Sequence, residues 1–142
     1  MRRHSRPGGK FLPKGLTIIH EDKDILVVDK PPDLLTIGTD TEKLRTAYFI
    51  LTDYIRKGAA KSKKRVFIVH RLDRETSGVL IFAKSEEAKF YLQSHWKETK
   101  KTYLAVVHGQ CDRKSETITT YLAENQGYFV YSTSDTSKGK LS

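Results

Sequence analysis

Two short β-branched runs with a dense polar insert between them constrain this chain most. Val-Phe-Ile-Val at residues 66–69 and Val-Leu-Ile-Phe at 79–82 each have the length of a buried strand and are bounded by turn-type residues. Between them stands His70-Arg71-Leu72-Asp73-Arg74-Glu75-Thr76-Ser77-Gly78. A plain strand connection needs only turn chemistry, yet this one holds two arginines, two acids, a histidine and two hydroxyls. Loops held by rigid strands are where reactive side chains concentrate. Asp73 is therefore the first residue to explain.

The rest of the chain supplies a frame for that loop. Residues 16–20 and 24–29 read as two short strands joined by the polar turn Glu21-Asp22-Lys23, and Pro31-Pro32 stops the second. Leu44, Ala47, Tyr48, Leu51, Tyr54 and Ile55 recur at helical spacing, with Asp40 or Thr41 as the expected cap and Gly58 at the end. Ser85 caps a second predicted helix that carries Glu86 and Glu87 in its first turn, with Ala88, Tyr91, Leu92, His95 and Trp96 on one face. Strands are expected at 102–108, 116–122 and 128–132, and a disordered polar tail at 134–142. The order ββ-α-ββ-α-βββ predicts an α+β fold, a largely antiparallel mixed sheet flanked by helices.

Composition narrows the setting. At 142 residues there is room for one domain with a core. No apolar run reaches the roughly 20 residues that cross a bilayer, and no apolar segment follows the basic N-terminus as in a secretory signal. The single cysteine, Cys111, excludes an internal disulfide, so a reducing cytoplasm is the expected location. The formal charge of +9 favours a polyanionic partner. Its distribution is uneven: Arg2, Arg3, Arg6, Lys10 and Lys14 precede the first acid, Glu21. Arg56, Lys57, Lys61, Lys63, Lys64 and Arg65 form a second cluster, in a stretch with no acid between Asp53 and Asp73. A solvated linker or a nucleic-acid surface both fit that cluster.

Residue chemistry alone leaves Asp73 several roles. It can be a general base, a nucleophile or a stabiliser of a sugar cation, and cations at Arg71 and Arg74 would keep it ionised. It can equally be an ion-pair partner or a turn cap. His70, at a strand end, fits a satisfied structural group better than a metal ligand, because His108 and Cys111 lack ligand spacing. No metal is expected. Gly78 suits a turn that needs close approach or positive φ.

The nonapeptide and the Val-Leu-Ile-Phe-Ala-Lys84 that follows resemble the central H-R-L-D-x-x-T-S-G and F-A-K pattern of the RluA-type pseudouridine synthases. Residues 18–32, Ile-Ile-His-Glu-Asp-Lys-Asp-Ile-Leu-Val-Val-Asp-Lys-Pro-Pro, are similar to that family's opening strand pair and its lysine–proline. Residues 101–109 are similar to its K-x-Y-x-A-x-V-x-G strand. The resemblance implies isomerisation of uridine to pseudouridine in ribosomal or transfer RNA, with no cofactor. It makes Asp73 the essential aspartate, Tyr103 the aromatic that stacks on uracil, and Arg71 the side chain that fills the space of a flipped nucleotide. For Arg71 an ion pair with Asp73 is the plain alternative. On the strand pattern Tyr103, Ala105 and Val107 share one face, opposite Leu104, Val106 and His108.

The resemblance also sets expectations about extent. The Q-I-R-x-H-type segment that relatives carry later is not found before Ser142. The expected organisation is a basic flexible arm at 1–15 and part of a catalytic domain at 16–142, acting as a monomer and with weak or no turnover by itself. A non-catalytic RNA-binding module is the rival reading, and a base-excising glycosylase using the same aspartate is a third.

Overall fold

The computed structural model describes residues 15–142 except Cys111, Tyr128, Lys138 and Ser142, so the arm expected at 1–15 lies almost wholly outside the described residues. The chain forms two compact units, one ending at Lys101 and one beginning at Thr102.

The first unit is built on a four-stranded antiparallel sheet of Thr17–Glu21 (β1), Ile25–Lys30 (β2), Phe67–Ile68 (β3) and Gly78–Ala83 (β4), in the order β1-β2-β4-β3. Alternation decides which side chains go inward. Leu26, Val28 and Lys30 are buried on β2, and they pair with Phe82, Leu80 and Gly78 of β4. Ala47 and Leu51 of the first helix, with Leu16, Val66 and Leu72, complete this core. Each large apolar side chain buried here contributes roughly 1.5–3 kcal/mol. The edge strand β3 is shorter than the predicted 66–69, because it pairs over two residues only before the chain leaves the sheet for the polar loop.

At the end of β4 away from that loop, polar groups tie the layers together. Asp22 accepts the amides of Asp24 and Ile25 at 2.8 Å each. Chiefly the Ile25 amide, then His20, hold its carboxyl down to about 2. Lys84 Nζ donates to Glu21 Oε1 at 2.9 Å and to the Asp22 carbonyl at 2.7 Å, while Tyr54 donates its hydroxyl to Glu21 Oε2 at 2.9 Å.

Helix α1 runs Ala47–Arg56, capped by Thr46, whose Oγ1 accepts the Phe49 amide at 3.1 Å. It starts later than the spacing predicts, and Asp40 and Thr41 are not its cap. The Ala47 and Tyr48 amides donate to the carbonyls of Leu35 and Thr36, so the segment docked against the helix fixes where the helix begins. Leu44 is consequently exposed and off the helix. Lys57 (φ 51°) and Gly58 (φ 75°) end the helix in left-handed conformation. Helix α2, Glu86–Ser94, begins as predicted at Ser85, whose Oγ accepts the Ala88 amide at 3.1 Å. It leads into a 3₁₀ turn at Trp96–Glu98, and none of its own residues is fully buried.

The second unit departs furthest from expectation. Residues 102–108 form no strand, and Tyr103, Leu104, Val106 and Val107 are exposed. A strand exists only through a neighbour to pair with, and none of the described residues pairs with this run. Beyond it, Tyr121–Glu124 (β5), Val130–Thr133 (β6) and Lys140–Leu141 (β7) form a separate sheet in the order β6-β5-β7. The β5–β6 turn is closed by Asn125, whose Oδ1 accepts the Gly127 and Phe129 amides at 2.9 and 3.0 Å. The tail predicted to be disordered supplies β7, which pairs Tyr121 with Leu141 and Leu122 with Lys140.

Candidate functional site

The polar loop leaves β3 and returns at Gly78, whose φ of 124° no other residue type adopts readily. Nothing lies within 4 Å of where a Gly78 Cβ would sit, so the glycine serves backbone conformation and not close approach. His70 anchors the start of the loop. Its Nε2 accepts the Ile81 amide of β4 at 3.1 Å, and its ring stacks on Trp96 with centroids 4.6 Å apart. Burial pushes its pKa below the ordinary histidine value, and the charge of Lys101 pushes the same way. It is a structural group, as its strand-end position predicts.

Leu72 is buried, and both of its backbone polar groups meet one hydroxyl. Thr36 Oγ1 accepts the Leu72 amide at 3.1 Å and donates to the Leu72 carbonyl at 2.7 Å, with Thr36 itself 2% exposed. Asp73 follows with its side chain exposed and its carbonyl accepting the Thr76 amide at 3.2 Å. The Arg74 carbonyl accepts from Lys30 Nζ at 3.1 Å, and the Arg74 guanidinium pairs with Glu42 at 2.7 Å. That pairing raises the Arg74 pKa above its usual value.

The two arginines that flank Asp73 do not pair with it among the described residues. Arg74 is engaged by Glu42 and not by Asp73. Among the described residues no ion pair joins Asp73 to Arg71, which is exposed beside it.

Lys30 is the residue that sequence reasoning left without a role. It is fully buried, and its ammonium donates to the carbonyls of Pro31 (3.0 Å), Leu34 (2.7 Å) and Arg74 (3.1 Å). All three donors are satisfied, which is what makes a buried lysine tolerable. Burial pushes its pKa below the usual lysine value, while the charges of Glu75, Asp33 and Asp73 oppose that shift. The signal was present in the alternation: Lys30 continues the inward face of Leu26 and Val28. Thr36 and Glu42 had no comparable signal, since their partners lie 36 and 32 residues away.

The basic cluster divides in two. Arg56 Nε donates to the Lys64 carbonyl at 2.8 Å; Arg65 meets Glu86 at 3.3 Å and lies over the Phe67 ring at 5.0 Å. Lys57, Lys61, Lys63 and Lys64 are exposed, with no side-chain partner among the described residues. Tyr103 belongs to the second unit and is exposed there.

A family model described as RNA pseudouridylate synthase matches residues 24–142. An uncharacterized RNA pseudouridine synthase of Mycoplasma pneumoniae is 37% identical over 112 residues, covering 75% of this chain and 33% of that protein. The ribosomal large subunit pseudouridine synthase C of Rickettsia bellii is 33% identical over 112 residues, covering 78% and 35%. The tRNA pseudouridine synthase C of Haemophilus ducreyi is 33% identical over 105 residues, covering 71% and 40%. The chain thus spans between 33% and 40% of the length of these relatives. Among solved structures, human RNA pseudouridylate synthase domain containing 4 matches with a TM-score of 0.55 at 16% identity, over 87% of this chain and 50% of that one. At that identity the likeness speaks for the fold.

Proposed function

The chain belongs to the RNA pseudouridylate synthase family, among its RluA-type members, and from that premise we propose that the protein isomerises uridine to pseudouridine within structured RNA. One observation carries the reading to a residue: an exposed aspartate, Asp73, stands in a loop whose backbone is held on both sides of it. A side chain that must meet a substrate needs exposure, and one that must meet it in a single geometry needs a fixed backbone.

The reaction breaks the bond between uracil N1 and ribose C1′ and forms one between C5 and C1′. The C5 hydrogen leaves as a proton and N1 gains one, so nothing is oxidised or reduced and no cofactor is required. Asp73 acts either by adding to the uracil ring or at the ribose as the glycosidic bond opens, and both roles call for an exposed carboxylate. A stacked base must first be extruded, which costs a few kcal/mol. Arg71, exposed two residues before Asp73, is assigned to the vacated stack on its match to the family's motif. Tyr103 supplies the aromatic surface for the detached uracil, a role that rests on its match to the family's strand. The RNA backbone is met by Lys57, Lys61, Lys63 and Lys64 of the basic cluster, with Arg56 and Arg65 shaping that stretch. Relatives are named for ribosomal and for transfer RNA, so the proposal commits to uridine in RNA and not to a position. The setting proposed is the cytoplasm, and the working form a monomer.

The test is tritium release from carbon-5-labelled uridine RNA by the full-length protein and its Asp73→Ala variant. Release by wild type and its loss in the variant, with RNA binding retained, is the expected result. Equal behaviour of the two proteins would favour an RNA-binding module, and abasic sites with free uracil would favour a glycosylase.

A further inference from the structure

We propose that Thr36 is a positioning residue for Asp73, aiming its carboxylate through a single hydroxyl that grips both backbone groups of Leu72. The inference rests on the reading that Asp73 carries the reaction. Three peptide planes determine where Asp73 sits. The plane between residues 72 and 73 is held through the Leu72 carbonyl, which accepts from Thr36 at 2.7 Å. The plane before it is held through the Leu72 amide, which donates to the same oxygen at 3.1 Å. The plane after Asp73 is held by its own carbonyl, accepting the Thr76 amide at 3.2 Å. With these fixed, the side-chain torsions are the freedom that remains.

Thr36 can do this because it is itself immobilised. The carbonyls of Leu35 and Thr36 accept the Ala47 and Tyr48 amides at the start of α1, at 2.8 and 3.0 Å. Thr36 is nine-tenths buried and more, so no water competes for the hydroxyl. The line of support runs from α1 through residues 35–36 to Leu72 and then to Asp73. Lys30 and Glu42 hold Arg74 on the far side, but among the described residues only Thr36 holds the peptide plane that leads into the aspartate. A hydroxyl is essential to the device, because it is at once donor and acceptor. Valine has the same shape and can do neither.

The experiment compares wild type, Thr36→Val and Thr36→Ser in the full-length protein, reading kcat and KM for a uridine-containing RNA together with amide exchange at Leu72. Misplacing a reacting group by about 1 Å costs on the order of 100-fold in rate. The valine variant should therefore lose about tenfold or more in kcat. Its KM should stay within about twofold, since the lysines that meet RNA lie elsewhere. Leu72 should lose exchange protection, and serine should restore both readouts. Unchanged kcat with Leu72 deprotected would overturn the proposal, as would a loss confined to KM, or an equal loss in valine and serine. If the valine variant does not fold, Thr36→Ala is read in its place; if neither folds, Thr36 serves the fold alone and the proposal fails. Absence of product from wild type would sink the functional reading, and this inference with it, and is told apart because it appears without any change at residue 36.

Discussion

A lysine with its ammonium fully buried is tolerated only where every donor is used, and Lys30 meets that condition by bridging the Pro31, Leu34 and Arg74 carbonyls. His70 meets the same demand differently, by accepting a β4 amide at Nε2 while burial pushes its pKa down. The two residues show that a charge-bearing group in or beside this loop can serve the fold by holding backbone. Tyr54 offers a clean test of such bookkeeping. Burial, then its hydrogen bond to Glu21, raises its pKa from the ordinary 10.0 to about 12. A phenol held protonated in the fold stabilises below the unfolded value and loses that contribution as pH rises through the folded one. Thermal melts from pH 9 to pH 12 should therefore show wild type losing stability between about 10 and 12 relative to Tyr54→Phe. The half-exposed site makes the effect modest, and a difference that does not change with pH would show that Glu21 does not hold the phenol.

At the scale of elements, helix α1 shows what periodicity reports and what it leaves out. The spacing of Ala47, Leu51 and Ile55 identifies its inward face, and Thr46 is as good a cap by type as Thr41. The choice between them is made by residues 35–36, which take the first amides of the helix. The same logic governs the second unit. Residues 102–108 have high β propensity and form no strand, whereas Lys140–Leu141 forms one because β5 offers it an edge. Gly139 makes that pairing sterically feasible, since an added Cβ would stand 2.9 Å from Tyr121 Cβ and 3.1 Å from the Leu122 carbonyl. Gly139→Ala should detach β7, seen as loss of cross-strand NOEs between residues 121–122 and 140–141 while those of β5 and β6 persist. Retained contacts would mean that the neighbouring side chains yield at little cost.

Over the whole molecule the charge of +9 is divided between groups that build and groups that wait. Arg56, Arg65, Arg74 and Lys84 are each tied to a carbonyl or carboxylate of the fold. Lys57, Lys61, Lys63 and Lys64 are not, so on the proposed function they are candidates to release counterions from RNA. Replacing all four by glutamine should lower the slope of log K against log salt for RNA binding by about 3, at roughly 0.7–0.9 per phosphate contact, with the melting temperature unchanged. An unaltered slope would move the RNA surface elsewhere. No helix among the described residues is long and apolar enough to cross a membrane.

Features that repeat locally, or that stand as a contiguous motif, were legible in the order of residues alone. The β2 and β4 alternation, the inward face of α1, the Ser85 cap and the loop that carries Asp73 all follow from neighbours a few residues apart. Family membership was legible for the same reason, because the signature is an unbroken string with two flanking segments in order. Which partner each loop group finds was settled by the closed fold. Thr36 meets Leu72, Glu42 meets Arg74 and Lys30 meets Arg74 across 36, 32 and 44 residues of chain. Those contacts exist only once β2, α1 and β4 have closed a common core. Spacing along a chain carries no record of such closure, so the aspartate could be read from the sequence and the cradle that aims it could not.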